Sequence, residues 1–134
     1  MFVLDASIAL EWVLPGQSTA VAEKAYRMAR KSPVVVPGLW LLETQNALLK
    51  YVRQKKLMMA EALEIRVELQ LLSKRIDRIS NTDVVDRIWT IASDHMMTVY
   101  DATYVELAWR LELPLASNDG AIRAAAKALG VALV

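Results

Sequence analysis

Met1-Phe2-Val3-Leu4-Asp5-Ala6-Ser7-Ile8-Ala9-Leu10 opens the chain. Phe2, Val3 and Leu4 make an apolar run suited only to a short strand buried on both faces. Asp5 closes that run, and residues 6–12, ending in Trp12, read as a helix. A carboxylate therefore stands where a buried strand hands over to a helix, at the strand's carboxyl end. That edge is where open α/β sheets bind ligands. Asp is also a favoured N-cap, so Asp5 taken alone reads first as a helix cap. The recurrence of the arrangement downstream supports the second reading.

Working outward, Pro15-Gly16 make a turn, and Ser18 or Thr19 can cap a helix running to about Arg30. Val34-Val35-Val36, bracketed by Pro33 and Pro37, is a second short buried strand. Residues 38 to about 55 read as a helix whose Glu43, Asn46, Lys50 and Arg53 share one narrow stripe, with Leu41, Leu48, Tyr51 and Val52 opposite. Leu39, Leu42 and Leu49 crowd that stripe, which suggests partial exposure. Residues 57–76 form a second long helix with two apolar stripes. One holds Met58, Ala62, Ile65, Leu69, Leu72 and Ile76; the other holds Leu63, Val67 and Leu71. A surface helix needs one apolar face. The second stripe therefore packs within the domain or meets a partner.

Residues 76–80 are a weak strand, and Asn81 or Thr82 caps a helix to about Ser93. A helix from about Asp101 to Leu111 follows, then an apolar segment, Leu113 to Ala116. Residues 121–129 form a helix stopped by Gly130, and Val131 to Val134 make a last strand. Short apolar strands alternating with helices predict one α/β domain over residues 1–134. The expected architecture is a three-layer α/β/α sandwich with a central, mainly parallel sheet.

The 134 residues suffice for one sizeable core. A hydrophobic share of 55% leaves apolar surplus for a partner surface. Net charge is +1, from 16 basic and 15 acidic residues, so any nucleic-acid contact needs a local basic patch. Cysteine is absent, which excludes disulfides and thiolate zinc sites. With no signal-peptide pattern and no long apolar run, the expected location is the cytoplasm.

The acids carry the chemistry. Asp5 and Asp119 each follow a strand and precede a helix. Asp101 opens a helix, and Glu43, on its half-buried stripe, can project toward the same edge. Carboxylates gathered at one edge repel one another, which raises their pKa values or demands a cation. Hard ions such as Mg²⁺ take oxygen ligands. Such a cluster can activate water and stabilise in-line displacement at phosphorus.

The order Val3-Leu4-Asp5-Ala6-Ser7, Glu43-x-x-Asn46-Ala47-Leu48, Tyr100-Asp101-Ala102-x-Tyr104-Val105-x-Leu107-Ala108 and Ser117-Asn118-Asp119 resembles a PIN domain. More narrowly, it resembles the VapC-type toxins of prokaryotic toxin–antitoxin pairs, over nearly the whole chain. The resemblance implies a ribonuclease hydrolysing RNA phosphodiester bonds, with Asp5, Glu43, Asp101 and Asp119 as an acidic quartet binding Mg²⁺ or Mn²⁺. It further implies that Ser7 hydrogen-bonds within the site, and it leads us to expect a homodimer and a VapB-type antitoxin. Asn46, one turn beyond Glu43, is expected to steady it, although the spacing also suits a surface pair. The family's last motif often reads Thr-x-Asp. Ser117 keeps the hydroxyl here, and Asn118 either offers an oxygen ligand or, preferably, caps the last helix.

RNA phosphates require cations. Lys50, Arg53, Lys55 and Lys56 form the densest basic run, with Arg27, Arg30 and Lys31 as a second group. Both groups also complement helix dipoles. His95, the sole histidine, sits at a helix end and reads as structural. Trp12 and Trp40 read as packing residues rather than base-stacking ones.

Three alternatives fit the sequence less well. A haloacid-dehalogenase-type phosphatase needs Asp-x-Asp after the first strand, where this chain has Asp5-Ala6-Ser7. A phospho-receiver needs an acceptor Asp after Val36, where Pro37-Gly38 stand. A non-catalytic RNA- or protein-binding module would have no use for four clustered acids.

Overall fold

Four short strands pair in parallel in the order β3-β2-β1-β4: β1 (Val3–Leu4), β2 (Val34–Pro37), β3 (Lys74–Asp77) and β4 (Leu115–Ala116). This computed structural model describes residues 1–134. Phe2, Val3 and Leu4 are fully buried, as are Val34, Val35 and Val36, so both central strands carry apolar side chains on each face.

Seven helices connect the strands. α1 (Ala6–Val13) and α2 (Ala20–Ala29) join β1 to β2, and α3 (Gly38–Arg53) and α4 (Met59–Leu71) join β2 to β3. α5 (Thr82–Asp94) and α6 (Val99–Leu111) lead back to β4, and α7 (Gly120–Ala128) follows it. Parallel crossovers are right-handed. The first two run toward one edge of the sheet and the third runs back, so α1 to α4 cover one face and α5 to α7 the other. The expected α/β sandwich is present. No helix is long and apolar enough to cross a membrane.

Three elements differ from expectation. The helix predicted over 57–76 ends at Leu71, and Lys74–Asp77 instead pairs residue for residue with Val34–Pro37. Leu72 leaves helical geometry (φ −56°, ψ 125°), and Lys74 Nζ donates to the carbonyls of Leu69 and Gln70 at 3.0 Å each. A sheet ladder outside the local sequence overrides the helical spacing of Leu72 and Ile76. The strand predicted at 76–80 thus starts two residues earlier and stops at Asp77. The final strand shrinks to one bridge, Leu115 with Leu133.

α6 is locked from its far end. Glu106, 1% exposed, accepts from Arg110 Nε at 2.9 Å and from Arg87 Nη2 at 3.1 Å. Arg110 Nη2 also reaches Asp77 Oδ2 at 2.7 Å. α5, α6 and the end of β3 share this network. Arg110→Ala leaves Glu106 buried with half its partners and should cost about 3 kcal/mol in chemical denaturation, at the low end for buried pairs because Arg110 is partly exposed.

Candidate functional site

The sheet's connections reverse direction between β1 and β4: β1 leads toward β2, whereas β4 arrives on its other side. A crevice forms at the carboxyl ends of strands at such a point. Asp5 and the 117–119 segment occupy its two walls. The Asp5 amide donates to the Ala116 carbonyl at 3.1 Å, which closes the sheet at this level.

Asp5 is buried, at 6% exposure. Its Oδ2 accepts from Ser7 Oγ at 2.8 Å and from Ser117 Oγ at 2.7 Å. Its Oδ1 has only a 3.4 Å contact from the Ser7 amide, which caps α1. Both readings of Asp5 therefore coexist: one oxygen serves helix and strand, and the other is nearly bare. Desolvation by burial is the main cause that raises its pKa above the usual Asp value. The two serine hydroxyls pull it back down, and the charge of Asp119 pushes it up.

Glu43 projects from the second turn of α3, half-buried as expected. Its Oε1 accepts from the Tyr104 hydroxyl at 2.5 Å, and Oε2 has no protein partner. Burial again leads in raising its pKa, the Tyr104 bond lowers it, and the charges of Asp5 and Asp101 raise it. Asp101 lies in the first turn of α6, two residues inside the start at Val99, where Thr98 is the cap. Its pKa is raised by desolvation and by Asp119 and Asp5. Asp119 is exposed and caps α7, with Oδ1 accepting from the Ile122 amide at 2.9 Å. Asp5, Asp101 and Asp119 each act on at least one other acid, and Glu43 is acted on by Asp5 and Asp101, so the four share one field.

No arginine or lysine forms an ion pair with these acids, all three ion pairs lying elsewhere, although Arg123 Nη1 donates to the Ser117 carbonyl at 2.9 Å beside them. Carboxylate oxygens left free, with hydroxyls holding their neighbours, suit a hard divalent cation. As the side chains stand, no three acids converge on one point. An ion bound here would have to reach some of the carboxylates through water.

Two supporting expectations change. Asn46 is exposed and makes no hydrogen bond to Glu43; Tyr104 holds that acid instead. Asn118 does not cap the last helix. Its Nδ2 turns away to Glu11 Oε1 at 2.8 Å and Thr19 Oγ1 at 2.7 Å, tying the 117–119 loop to α1 and the head of α2. Ser117 bridges the wall, donating to Asp5 while accepting from the Asp119 amide at 3.1 Å. Tyr104 was missed as a supporting residue. The signal was its place three residues after Asp101, one turn along the same side of a helix.

Lys50, Arg53, Lys55 and Lys56 are all exposed at the end of α3, as are Arg27, Arg30 and Lys31. Trp40 is buried, and Trp12 Nε1 donates to the Ala22 carbonyl at 2.8 Å, so both tryptophans pack.

A family model described as "PIN domain" matches residues 2–133. The curated protein "Ribonuclease VapC3" of Pyrobaculum aerophilum is 31% identical over 117 residues, covering 87% of this chain and 88% of its own.

Proposed function

This chain belongs to the PIN domain family, and from that premise we propose that it is a metal-dependent endoribonuclease acting as the toxin of a type II toxin–antitoxin pair. The observation that carries this reading is the uncompensated acidic crevice. Asp5, Glu43, Asp101 and Asp119 lie in one another's field, and none of them is in an ion pair with an arginine or lysine. The relative is named as a ribonuclease, which supports RNA as the substrate.

Asp5 and Asp101 are the principal ligands in this reading, with Glu43 and Asp119 completing the set directly or through water. Bound there, Mg²⁺ or Mn²⁺ supplies an activated water and offsets phosphate charge at the scissile bond. The protein's own residues do the rest. Ser7 and Ser117 fix the direction of Asp5, Tyr104 fixes Glu43, and the α7 cap fixes Asp119. Water enters freely, since Asp119 and Ser7 are exposed.

Lys50 and Arg53 lie about 10 and 15 Å along α3 from Glu43, by helical rise, within reach of backbone phosphates beyond the cleavage point. Replacing either by Ala should weaken RNA binding across all sequences alike. Each change should lower the slope of log affinity against log salt by about 1, measured by fluorescence anisotropy.

A homodimer and a VapB-type antitoxin complete the proposal, with the cytoplasm as its place. Leu63, Val67 and Leu71 of α4 are 49%, 52% and 79% exposed, and Leu42 of α3 is 74% exposed. The second stripe of α4 thus has no cover within the domain, which supports a partner surface. The reading as a whole is tested by incubating purified protein with labelled total RNA in Mg²⁺ and in EDTA. Discrete products that require the metal bear it out. Binding without cleavage, unaffected by EDTA, favours a non-catalytic module.

A further inference from the structure

Three of the four acids arrive on separate elements, Asp5 after β1, Glu43 on α3 and Asp101 on α6. One side chain meets all three. Tyr104 is fully buried and stands three residues after Asp101, on the same side of α6. Its hydroxyl donates to Glu43 across the gap to α3. The Ala6 amide, immediately after Asp5, approaches the same phenol oxygen.

Packing alone does not explain that hydroxyl. A phenylalanine ring would fill the same space without burying a polar atom, and a buried hydroxyl costs free energy unless it is bonded. Here its partner is a carboxylate that burial would otherwise drive outward. Glu43 has three rotatable bonds and a route to solvent, so without a donor on Oε1 it gains by swinging away from the crevice. With Oε1 engaged, Oε2 is the oxygen left to face Asp5 and Asp101.

We propose that Tyr104 is the positioning residue of the acidic site, its hydroxyl holding Glu43 in register with Asp101 and the Asp5 turn. The inference rests on the metal-nuclease reading and extends it to a residue that touches neither RNA nor ion. Asn46, the polar neighbour on the acid's own helix, has no such part, because it is exposed and makes no hydrogen bond to Glu43.

The test compares wild type, Tyr104→Phe, Glu43→Ala and the double variant. Three quantities are read: the Tm in EDTA, Mn²⁺ affinity from the free-ion EPR signal without RNA, and kcat and KM for RNA cleavage. Tyr104→Phe should keep its Tm within about 5 °C of wild type. It should bind Mn²⁺ about 10- to 100-fold more weakly, as loss of a ligand-orienting partner does. At fixed Mn²⁺, kcat should fall while KM for RNA holds. Added to Glu43→Ala, Tyr104→Phe should cost nothing further in Mn²⁺ affinity, because it acts through that acid.

Wild-type Mn²⁺ affinity in Tyr104→Phe would overturn the proposal, and so would an additive loss in the double variant. A Tyr104→Phe protein unfolded at 25 °C would make the bond architectural and overturn it too. A wild type that binds no Mn²⁺ and cuts no RNA would instead remove the nuclease reading, and this inference with it.

Discussion

Asp5→Asn should lower RNA cleavage by at least about 10³-fold, the scale of several kcal/mol of lost charge stabilisation at phosphorus. The same change should raise the melting temperature in EDTA. The two effects share one cause. Asp5 is buried with its charge only partly compensated by Ser7 and Ser117, and burial is the leading reason its pKa is raised. Asparagine has the same shape, and its oxygen placed where Oδ2 stands still accepts from both serine hydroxyls, but it removes the charge that is costly to bury and that a cation needs. A gain in stability with a loss of chemistry is what a functional carboxylate predicts; a purely structural cap predicts the reverse. Cleavage within tenfold of wild type would sink the assignment of Asp5. A lowered Tm would show that its α1 cap outweighs its burial.

How much of this was legible in the sequence depends on the range of the forces involved. The first ten residues carried their own answer. An apolar triplet, an acid and a helical run are local features, and they produce β1, the Asp5 cap and α1 where expected. Caps at Thr19 and Asn81 follow the same local logic, whereas the helix expected to open at Asp101 starts at Val99, capped by Thr98. Residues 72–77 failed because their fate is decided by a strand forty residues away. Leu72 and Ile76 fit a helical stripe, yet Val34–Pro37 offers a full ladder of partners and Lys74 closes α4. Pattern alone contains no term for that neighbour.

The site divides along the same line. Acids at strand ends were visible because the strand-to-helix junction is written locally. What holds them was legible only in part: the motif resemblance named Ser7 and Ser117, which donate to Asp5, but not Tyr104. The Tyr104–Glu43 bond spans 61 residues, and the Ser117–Asp5 bond spans 112. Asn46 was the natural local choice for steadying Glu43, and a distant phenol took the place. Asn118 misled for a related reason: Asn and Asp both favour the N-cap, and Asp119, one residue later, occupies it.

The metal-free protein should melt at a lower temperature as pH rises, and a divalent cation should remove that slope. Asp5, Glu43 and Asp101 all have native pKa values raised above their ordinary 3.8, 4.5 and 3.8. Between the unfolded and native values the folded chain binds more protons than the unfolded one, so stability falls with pH there. The contribution is fully present below about pH 4 and is lost as pH climbs through the raised values. A cation reverses the balance, since it binds the ionised acids and only in the folded arrangement. Its stabilising increment should be near zero at low pH and grow as the acids ionise, toward about 4 kcal/mol at 1,000 times Kd. Melting curves in EDTA and in excess Mg²⁺ across this pH range measure the difference directly, with other titrating groups cancelling. An increment flat with pH would mean that the ion binds elsewhere. One that grows with pH in wild type and collapses in Asp5→Asn would locate the ion among these carboxylates without any RNA being cut.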